Sequence, residues 1–180
     1  MYQNDVILKP MKCFIISALT ADGYIAKNRT HAAMWTSKED KKRFVALTKQ
    51  AGVIVMGLNT WQTLGKPLKD RLNIVYSPTP LPAIPGMEST VKDPKELLQE
   101  LESRGVKEVA ICGGSTIYTM FMQTGLVNKL YLTIEPILFG DGMRLFNKDL
   151  DYKLKLLSCE KTEGGTLLLD YDVESTAANF

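Results

Sequence analysis

The apolar residues of this chain are concentrated in short, nearly continuous runs that are separated by polar segments. The clearest runs are Cys13–Leu19, Val53–Gly57, Asn73–Tyr76, Glu108–Cys112 and Lys129–Glu135. Runs of this length without polar alternation are typical of strands buried on both faces, as in a parallel sheet. The pattern therefore predicts a central sheet that is covered by helices on either side.

Three segments between these runs carry helix signals. Ser37–Gln50 has apolar residues at helical spacing, begins with a residue suited to N-capping and is followed by Gly52. Pro94 begins a second helix that runs to Arg104, and Ser115–Gln123 follows a glycine pair as a third. A single helical turn is expected between 57 and 73, and four prolines make 77–86 an exposed loop.

The last part of the chain has a different pattern. Lys153–Lys161 and Thr166–Val173, joined across Glu163-Gly164-Gly165, are typical of an antiparallel hairpin. The alternation of strands and helices before it predicts a three-layer α/β fold, with a mostly parallel central sheet of about eight strands, helices on both faces and an antiparallel C-terminal hairpin. We expect one domain over residues 11–173, with a leader at 1–10 and a tail at 174–180.

Composition and charge exclude several classes of function. The net charge is +2, from 22 basic and 20 acidic side chains dispersed along the chain, which gives no support to nucleic-acid binding. No apolar stretch approaches the roughly 18 residues of a membrane span. Cys13, Cys112 and Cys159 are widely spaced, which indicates free thiols in a reducing compartment. We expect a cytoplasmic protein, either a monomer or a homodimer.

Ligands of open α/β sheets bind beyond the carboxyl ends of the strands, so the residues at those ends are the first candidates. Gly113-Gly114-Ser115 lies between a strand and a helix, where it forms either a phosphate cradle or a purely structural turn. Asp40, in the first turn of a helix, either faces an apolar cleft or simply complements the helix dipole. Arg71 either clamps a carboxylate or is solvated.

The single histidine, His31, lies in a polar loop and is a candidate only for gating a ligand. The chain contains no paired-cysteine, HExxH or GxSxG motif, so neither a metal centre nor a hydrolase mechanism is indicated. The candidate chemistry therefore depends on Asp40, Arg71 and the glycine pair.

The longest motif runs from Val55 to Ser77 and resembles the M-G-R-x-T-W-x-S-I-G-R-P-L-P-G-R-x-N-I-V-L-S stretch of dihydrofolate reductases. Other matching segments follow in that family's order: Ile16-Ser17-Ala18, Asp22-Gly23-Tyr24-Ile25, Met34-Trp35, Ile111 to Tyr118, and Leu130-Tyr131-Leu132-Thr133. The resemblance covers residues 11–173. It implies a dihydrofolate reductase-like fold and NADPH-dependent reduction of dihydrofolate to tetrahydrofolate in one-carbon metabolism.

The resemblance also implies roles for individual residues. Asp40, Trp35 and Thr133 would be catalytic, with Asp40 gripping a ring nitrogen and the amino group of the pterin and Thr133 holding Asp40. Substrate-binding residues would be Ile16, Ala18, Phe44, Arg71 and Tyr118, with Arg71 on the glutamate α-carboxylate. Cofactor-binding residues would be Ala18, Ile25, Gly57, Asn59, Thr60, Ser77, Lys92, Cys112, Gly113, Gly114, Ser115, Thr116 and Ile117. Residues 26–34 would form the loop that closes over the nicotinamide, and no metal is expected.

Two departures from the family pattern leave alternatives open. Leu58 and Thr116 stand where basic residues usually bind the 2′-phosphate, so NADPH is expected with Lys92 or Ser77 as substitutes, and NADH is the alternative. The segments at 35–40 and 137–146 look like those of riboflavin-pathway reductases, which share the fold and act on a ribosylamino-pyrimidine. The remaining alternative is a non-catalytic ligand-binding domain on the same fold.

Overall fold

A computed structural model describes residues 11–174 of the chain. Ten strands and four α-helices follow one another along it. The strands are β1 (Lys12–Thr20), β2 (Tyr24–Ala26), β3 (Val53–Gly57), β4 (Leu72–Tyr76), β5 (Met87–Thr90), β6 (Glu108–Ile111), β7 (Lys129–Glu135), β8 (Met143–Arg144), β9 (Lys153–Lys161) and β10 (Leu167–Glu174). The helices are α1 (Lys38–Ala51), α2 (Leu58–Leu64), α3 (Pro94–Ser103) and α4 (Ser115–Met122), and Ala33–Trp35 forms one 3-10 turn.

The ends of α1 show why the chain turns where it does. The Ser37 hydroxyl accepts a hydrogen bond from the Asp40 backbone N–H at 3.2 Å, which satisfies one of the free donors of the first turn. Gly52 ends the helix in the left-handed region, with φ of 71°. By contrast, α4 follows Gly114 and has no side-chain cap. Its first N–H groups are therefore open to a ligand.

Eight strands form the central sheet in the order β5-β4-β3-β6-β1-β7-β10-β9. The pairings from β5 to β7 are parallel, and those of β10 with β7 and β9 are antiparallel. The central strand β1 pairs on one side with β6, placing Ile15 opposite Ile111, and on the other with β7, placing Ile15 opposite Leu130. The carboxyl ends of β1, β3, β4 and β6 therefore share one edge.

Hydrophobic cores lie on both faces of the sheet because successive residues of β1 point in opposite directions. Cys13 and Ile15 pack with Leu101 of α3 and Phe121 of α4, while Phe14 and Ile16 pack on the other side, where Phe44 and Leu47 of α1 contribute. This arrangement confirms the predicted three-layer α/β fold.

The structure also shows what the sequence pattern did not reveal. Three short strands were not predicted: β2 and β8, which pair with each other outside the main sheet, and β5 at its edge. The expected leader at 1–10 and residues 175–180 of the expected tail at 174–180 lie outside the described residues, and Glu174 is the last residue of β10. Between residues 11 and 174 no helix is long and apolar enough to cross a bilayer.

Candidate active site

A cavity of about 1040 Å³ opens at the edge where the carboxyl ends of the parallel strands meet. Its floor comes from Ile16–Ala18 of β1, Gly57 at the end of β3, Tyr76 at the end of β4 and Cys112 after β6. Drug-sized ligands occupy pockets of about 300–1,000 Å³, so this cavity has room for more than one ring system. Its position is the one at which open α/β sheets bind ligands.

Two acidic residues of the described chain line this cavity, and Asp40 is the less exposed of them, Asp149 being at the surface. Asp40 is partly buried, and Phe44, one turn further along α1, lines the same cavity. Burial raises the pKa of the Asp40 carboxyl above its ordinary value, whereas hydrogen bonding to Thr133 and Thr36 lowers it. The negative charge of Glu135 raises the pKa further. A carboxyl group with raised proton affinity in a cleft is the pattern expected of a functional group.

The glycine pair lines the same cavity as Asp40. The Gly113-Gly114 peptide is cis, and the Gly113 carbonyl accepts a hydrogen bond of 2.7 Å from the Gly57 N–H. A Cβ on Gly113 would lie 3.1 Å from the hydroxyl oxygen of Tyr118, which itself donates to the Ile16 carbonyl at 2.9 Å. The close approach therefore requires glycine, and it brings the uncapped start of α4 to the cavity.

The loop between β2 and α1 covers one side of the cavity. The Nδ1 atom of His31 accepts a hydrogen bond of 3.1 Å from the Lys27 N–H, and its ring lies 5.4 Å from that of Phe139. Trp35 also packs on Phe139, at 5.1 Å between ring centroids. The buried indole N–H of Trp35 has no hydrogen-bond partner in the described chain, so a polar ligand atom would satisfy it.

A second loop holds the first in place. The Asp22 carboxylate accepts hydrogen bonds from the N–H groups of Phe139 and Gly140, the latter at 2.7 Å, and from the Thr20 hydroxyl. The Thr20 hydroxyl bond, more than any other cause, lowers the pKa of Asp22. Asp22 thus ties the turn before β2 to the loop that carries Phe139.

Three cations line the outer part of the cavity, and sequence reasoning did not identify them. They are Arg29, in the covering loop, and Arg144 and Lys148, after β7. Asn147, next to Lys148, donates to the Thr116 hydroxyl at 3.0 Å, so this segment is held against the first turn of α4. The cations come from loops with no recognisable motif, and only the fold brings them together.

Most of the residues predicted from the resemblance lie in this one cavity. Those that line it are Ile16, Ala18, Ile25, Trp35, Asp40, Phe44, Gly57, Asn59, Thr60, Cys112, Gly113, Gly114, Ser115, Thr116, Ile117 and Tyr118. Thr133 does not line it but contacts Asp40 from β7. Their individual roles remain predictions.

Three predicted residues lie elsewhere. Arg71 lines a separate depression formed by 66–70 and 84–86, where its guanidinium donates to the Thr48 hydroxyl at 2.7 Å and the Lys69 carbonyl at 2.9 Å. Ser77 is buried and donates to the Thr79 carbonyl, and Lys92 is paired with Glu100. For Ser77 and Lys92, contact with a cofactor stays a prediction without a cavity to support it.

The polar groups that line the cavity fit a dinucleotide better than a metal ion. Uncapped backbone N–H groups at α4, a close-approaching glycine pair and nearby cations suit phosphate groups. Within residues 11–174 no group of three His, Cys, Asp or Glu side chains is placed to hold a metal ion.

Comparison with known proteins identifies the family. The family model described as "Dihydrofolate reductase" matches residues 12–149. The dihydrofolate reductase of Buchnera aphidicola is 27% identical over 164 residues, covering 85% of this chain and 92% of that protein.

Solved structures share the fold at lower identity. A pyrimidine reductase-like protein from Corynebacterium diphtheriae has a TM-score of 0.70 at 18% identity, covering 91% of this chain and 92% of that one. A diaminohydroxyphosphoribosylaminopyrimidine deaminase/5-amino-6-(5-phosphoribosylamino)uracil reductase from Thermotoga maritima has a TM-score of 0.73 at 17% identity, covering 92% of this chain and 57% of that one. The chain therefore belongs to the dihydrofolate reductase family, whose members are oxidoreductases.

Proposed function

We propose that this protein is a dihydrofolate reductase that transfers a hydride from NADPH to dihydrofolate. The observation that carries the proposal is the placement of Asp40, a partly buried carboxyl group with raised pKa, in the same cavity as the Gly113-Gly114 turn. This geometry puts a hydrogen-bond acceptor for a ring and a phosphate-binding helix start within one enclosure.

Asp40 supplies the polar contact of the ring pocket. Its carboxylate accepts hydrogen bonds from a ring N–H and the amino group of the pterin, while Thr133 holds its orientation. The negative charge draws positive character onto the ring, which favours protonation of the ring nitrogen next to the carbon that receives the hydride.

The rest of the folate molecule follows the direction of α1. Phe44 lies one turn beyond Asp40 and provides an apolar surface for the benzoyl part. Thr48, one further turn along, orients the guanidinium of Arg71. With its Nε and Nη1 atoms engaged in protein contacts, Arg71 is held ready to bind the glutamate carboxylate at the outer end.

The cofactor would be held by Gly113, Gly114, Ser115 and Thr116 at the start of α4. Bound NADPH supplies the hydride. Ala18 and Ile25 form the apolar surface for its nicotinamide, and the loop that carries His31 and Trp35 excludes water from the ring pocket.

Arg144 and Lys148 support the choice of NADPH over NADH. Both line the cavity, Lys148 follows Asn147, which contacts Thr116 of α4, and the described residues show no ion-pair partner for either cation. We expect the double variant R144A/K148A to bind NADPH at least about tenfold more weakly and NADH almost unchanged, since only the 2′-phosphate contact is lost. Lys155→Ala, on the outer strand β9, is the matched control, and equal losses for both cofactors would contradict this assignment.

The activity test follows NADPH absorbance with dihydrofolate and purified protein. Wild-type protein should oxidise NADPH in the presence of dihydrofolate. Asp40→Asn should lose most of this activity while keeping its NADPH affinity, because only the assistance to ring protonation is removed. Asp172→Asn, a matched change on β10, should behave as wild type. Absence of turnover in wild-type protein that binds NADPH normally would overturn the proposed function.

The cations also favour a second candidate, a reductase of a ribosylamino-pyrimidine of the riboflavin-pathway type. Arg29, Arg144 and Lys148 would suit a substrate phosphate, whereas Arg71 lies outside the main cavity. A thermal-shift assay with methotrexate separates the two candidates. Stabilisation by methotrexate in the presence of NADPH supports the folate enzyme. No stabilisation, together with unchanged folate handling by Arg71→Ala, supports the second candidate.

A further inference from the structure

Glu135 is a buried carboxylate that the proposed reaction does not use directly. It is the last residue of β7 and is only 3% exposed. Its Oε1 atom accepts a hydrogen bond of 2.8 Å from the Ser37 N–H, and its Oε2 atom accepts one of 2.9 Å from the Thr166 hydroxyl. A buried charge is costly unless it is hydrogen-bonded, and here both oxygens have donors.

These contacts connect Glu135 to the start of α1. Ser37 is the N-cap of α1, and its hydroxyl accepts from the Asp40 N–H. Glu135 therefore holds the backbone of the cap, and the cap holds the backbone of Asp40. Thr133, two residues earlier on β7, projects to the same face of the strand and contacts the Asp40 side chain.

We propose that Glu135 is a positioning residue of this site: its buried carboxylate holds the first turn of α1 so that the Asp40 carboxylate faces the cavity. The inference rests on the proposed function only in taking Asp40 as the group that binds the substrate ring. Two neighbours on one strand divide the task, Thr133 acting on the side chain of Asp40 and Glu135 on its backbone.

The charges around Asp40 give Glu135 a second effect. From β7, Glu135 raises the pKa of Asp40, and from α1, Arg43 lowers it; the hydroxyls of Thr133 and Thr36 also face the carboxyl. On α4, Tyr118 lies near enough to Asp40 for the charge of that carboxylate to raise the pKa of the Tyr118 hydroxyl. Arg43 is mainly engaged elsewhere, because its guanidinium pairs with Asp170 and donates to two carbonyls of β7 and β10.

Glu135→Gln isolates the charge. The amide oxygen still accepts from Ser37, and the amide nitrogen donates to the Thr166 hydroxyl, so both hydrogen bonds persist in an uncharged group. We expect the titration of the Asp40 carboxyl carbon, followed by NMR of ¹³C-labelled protein, to move to lower pH, because a neighbouring negative charge has been removed. Glu102→Gln, an exposed residue of α3 outside the cavity, is the matched control and should leave this titration unchanged.

Glu135→Ala removes the hydrogen bonds as well. The Ser37 N–H loses its buried acceptor, and we expect kcat/KM for the ring substrate to fall about tenfold or more while the Kd for NADPH stays within twofold. Binding of methotrexate to the variant reports the same loss without turnover. A purely structural cap would reduce stability and the affinity for both ligands alike.

The results for Glu135→Gln and Glu135→Ala can be distinguished from the result of the activity test. The Asp40 titration needs no substrate, so it can be read even if dihydrofolate is not reduced. Equal loss of cofactor and ring-ligand binding in Glu135→Ala would overturn the positioning role, and an unchanged Asp40 titration in Glu135→Gln would overturn the effect of the Glu135 charge on Asp40. Selective loss of ring-ligand affinity in Glu135→Ala would support the positioning role.

Discussion

Asp40 has to meet two opposing requirements. Under the proposed function, contact with a ring requires Asp40 to be removed from solvent, and burial raises the pKa of its carboxyl and makes the ionised form costly in the folded protein. Thr133 and Thr36 offset part of this cost by hydrogen bonding. At this position the requirements of function and of stability are therefore in conflict.

The conflict predicts the pH dependence of an Asp40→Asn variant. Because the folded-state pKa is raised, the stability linked to the protonated group is complete below the ordinary pKa and is lost as pH rises through the folded value. Asp40→Asn avoids this loss, so it should be more stable than wild type at neutral pH, with the difference shrinking towards about pH 4. Denaturant midpoints across this range test the expectation. A difference that is independent of pH would contradict it.

Gly113 gives a second prediction for a single residue. Its φ of 121° and the 3.1 Å distance from a built Cβ to the Tyr118 hydroxyl oxygen both disfavour a side chain. Gly113→Ala should lower the free energy of unfolding by about 1–3 kcal/mol and weaken NADPH binding, since Tyr118 must move away from the Ile16 carbonyl. Gly164→Ala, where the nearest atom to a built Cβ is 3.9 Å away, is the control. Unchanged NADPH affinity in Gly113→Ala would show that the turn is not a cofactor contact.

At the scale of elements, predictability depended on whether a segment carries its own signal. The strand at 53–57 is a continuous apolar run, and the helix at 38–51 has a capping residue before it and a glycine after it. Both were predicted. The edge strand β5, Met87–Thr90, has only one buried residue, and β8 is two residues long. Such segments become strands because a partner is present, which is β4 for β5 and, much earlier in the chain, β2 for β8.

The Asp22 carboxylate connects the turn before β2 to the loop at 139–140 by hydrogen bonds. Asp22→Ala should increase amide hydrogen exchange at Phe139 and Gly140, because their N–H groups lose a charged acceptor. In wild-type protein the protection should be complete above the ordinary pKa of an aspartate and be lost as pH falls through the lowered folded value. Hydrogen exchange with mass spectrometry measures both effects. Equal protection in Asp22→Ala and wild type would contradict this role.

For the whole molecule, a core residue that does not line the cavity should affect stability without affecting ligand binding. Leu101 of α3 is 0% exposed in the core opposite to α1. Leu101→Ala should therefore lower the free energy of unfolding by about 2–5 kcal/mol while leaving the Kd for NADPH unchanged. Leu138→Ala, at a residue that is 72% exposed, should change it by no more than about 0.5 kcal/mol. Chemical denaturation and cofactor titration of the three proteins test this separation.

The sequence reveals only those site residues that a local pattern marks, because the others are brought together by the whole fold. Asp40 and the glycine pair were found because each follows a local signal, a capped helix start or a strand end. Arg29, Arg144 and Lys148 were not, because their proximity to the cavity depends on loops that the sheet brings together. Glu135 was likewise missed, since its position at the end of a predicted strand does not show that Ser37 and Thr166 approach it.

The insertion of β1 between β6 and β7 has a consequence for synthesis on the ribosome. Ile15 is synthesised long before the residues beside it in the sheet, Ile111 and Leu130. Until β6 and β7 have left the ribosome, β1 has no neighbouring strands in the sheet and the cavity cannot form. Cofactor and substrate therefore cannot assist folding before that point, and the growing chain must keep this apolar strand from aggregating without their help.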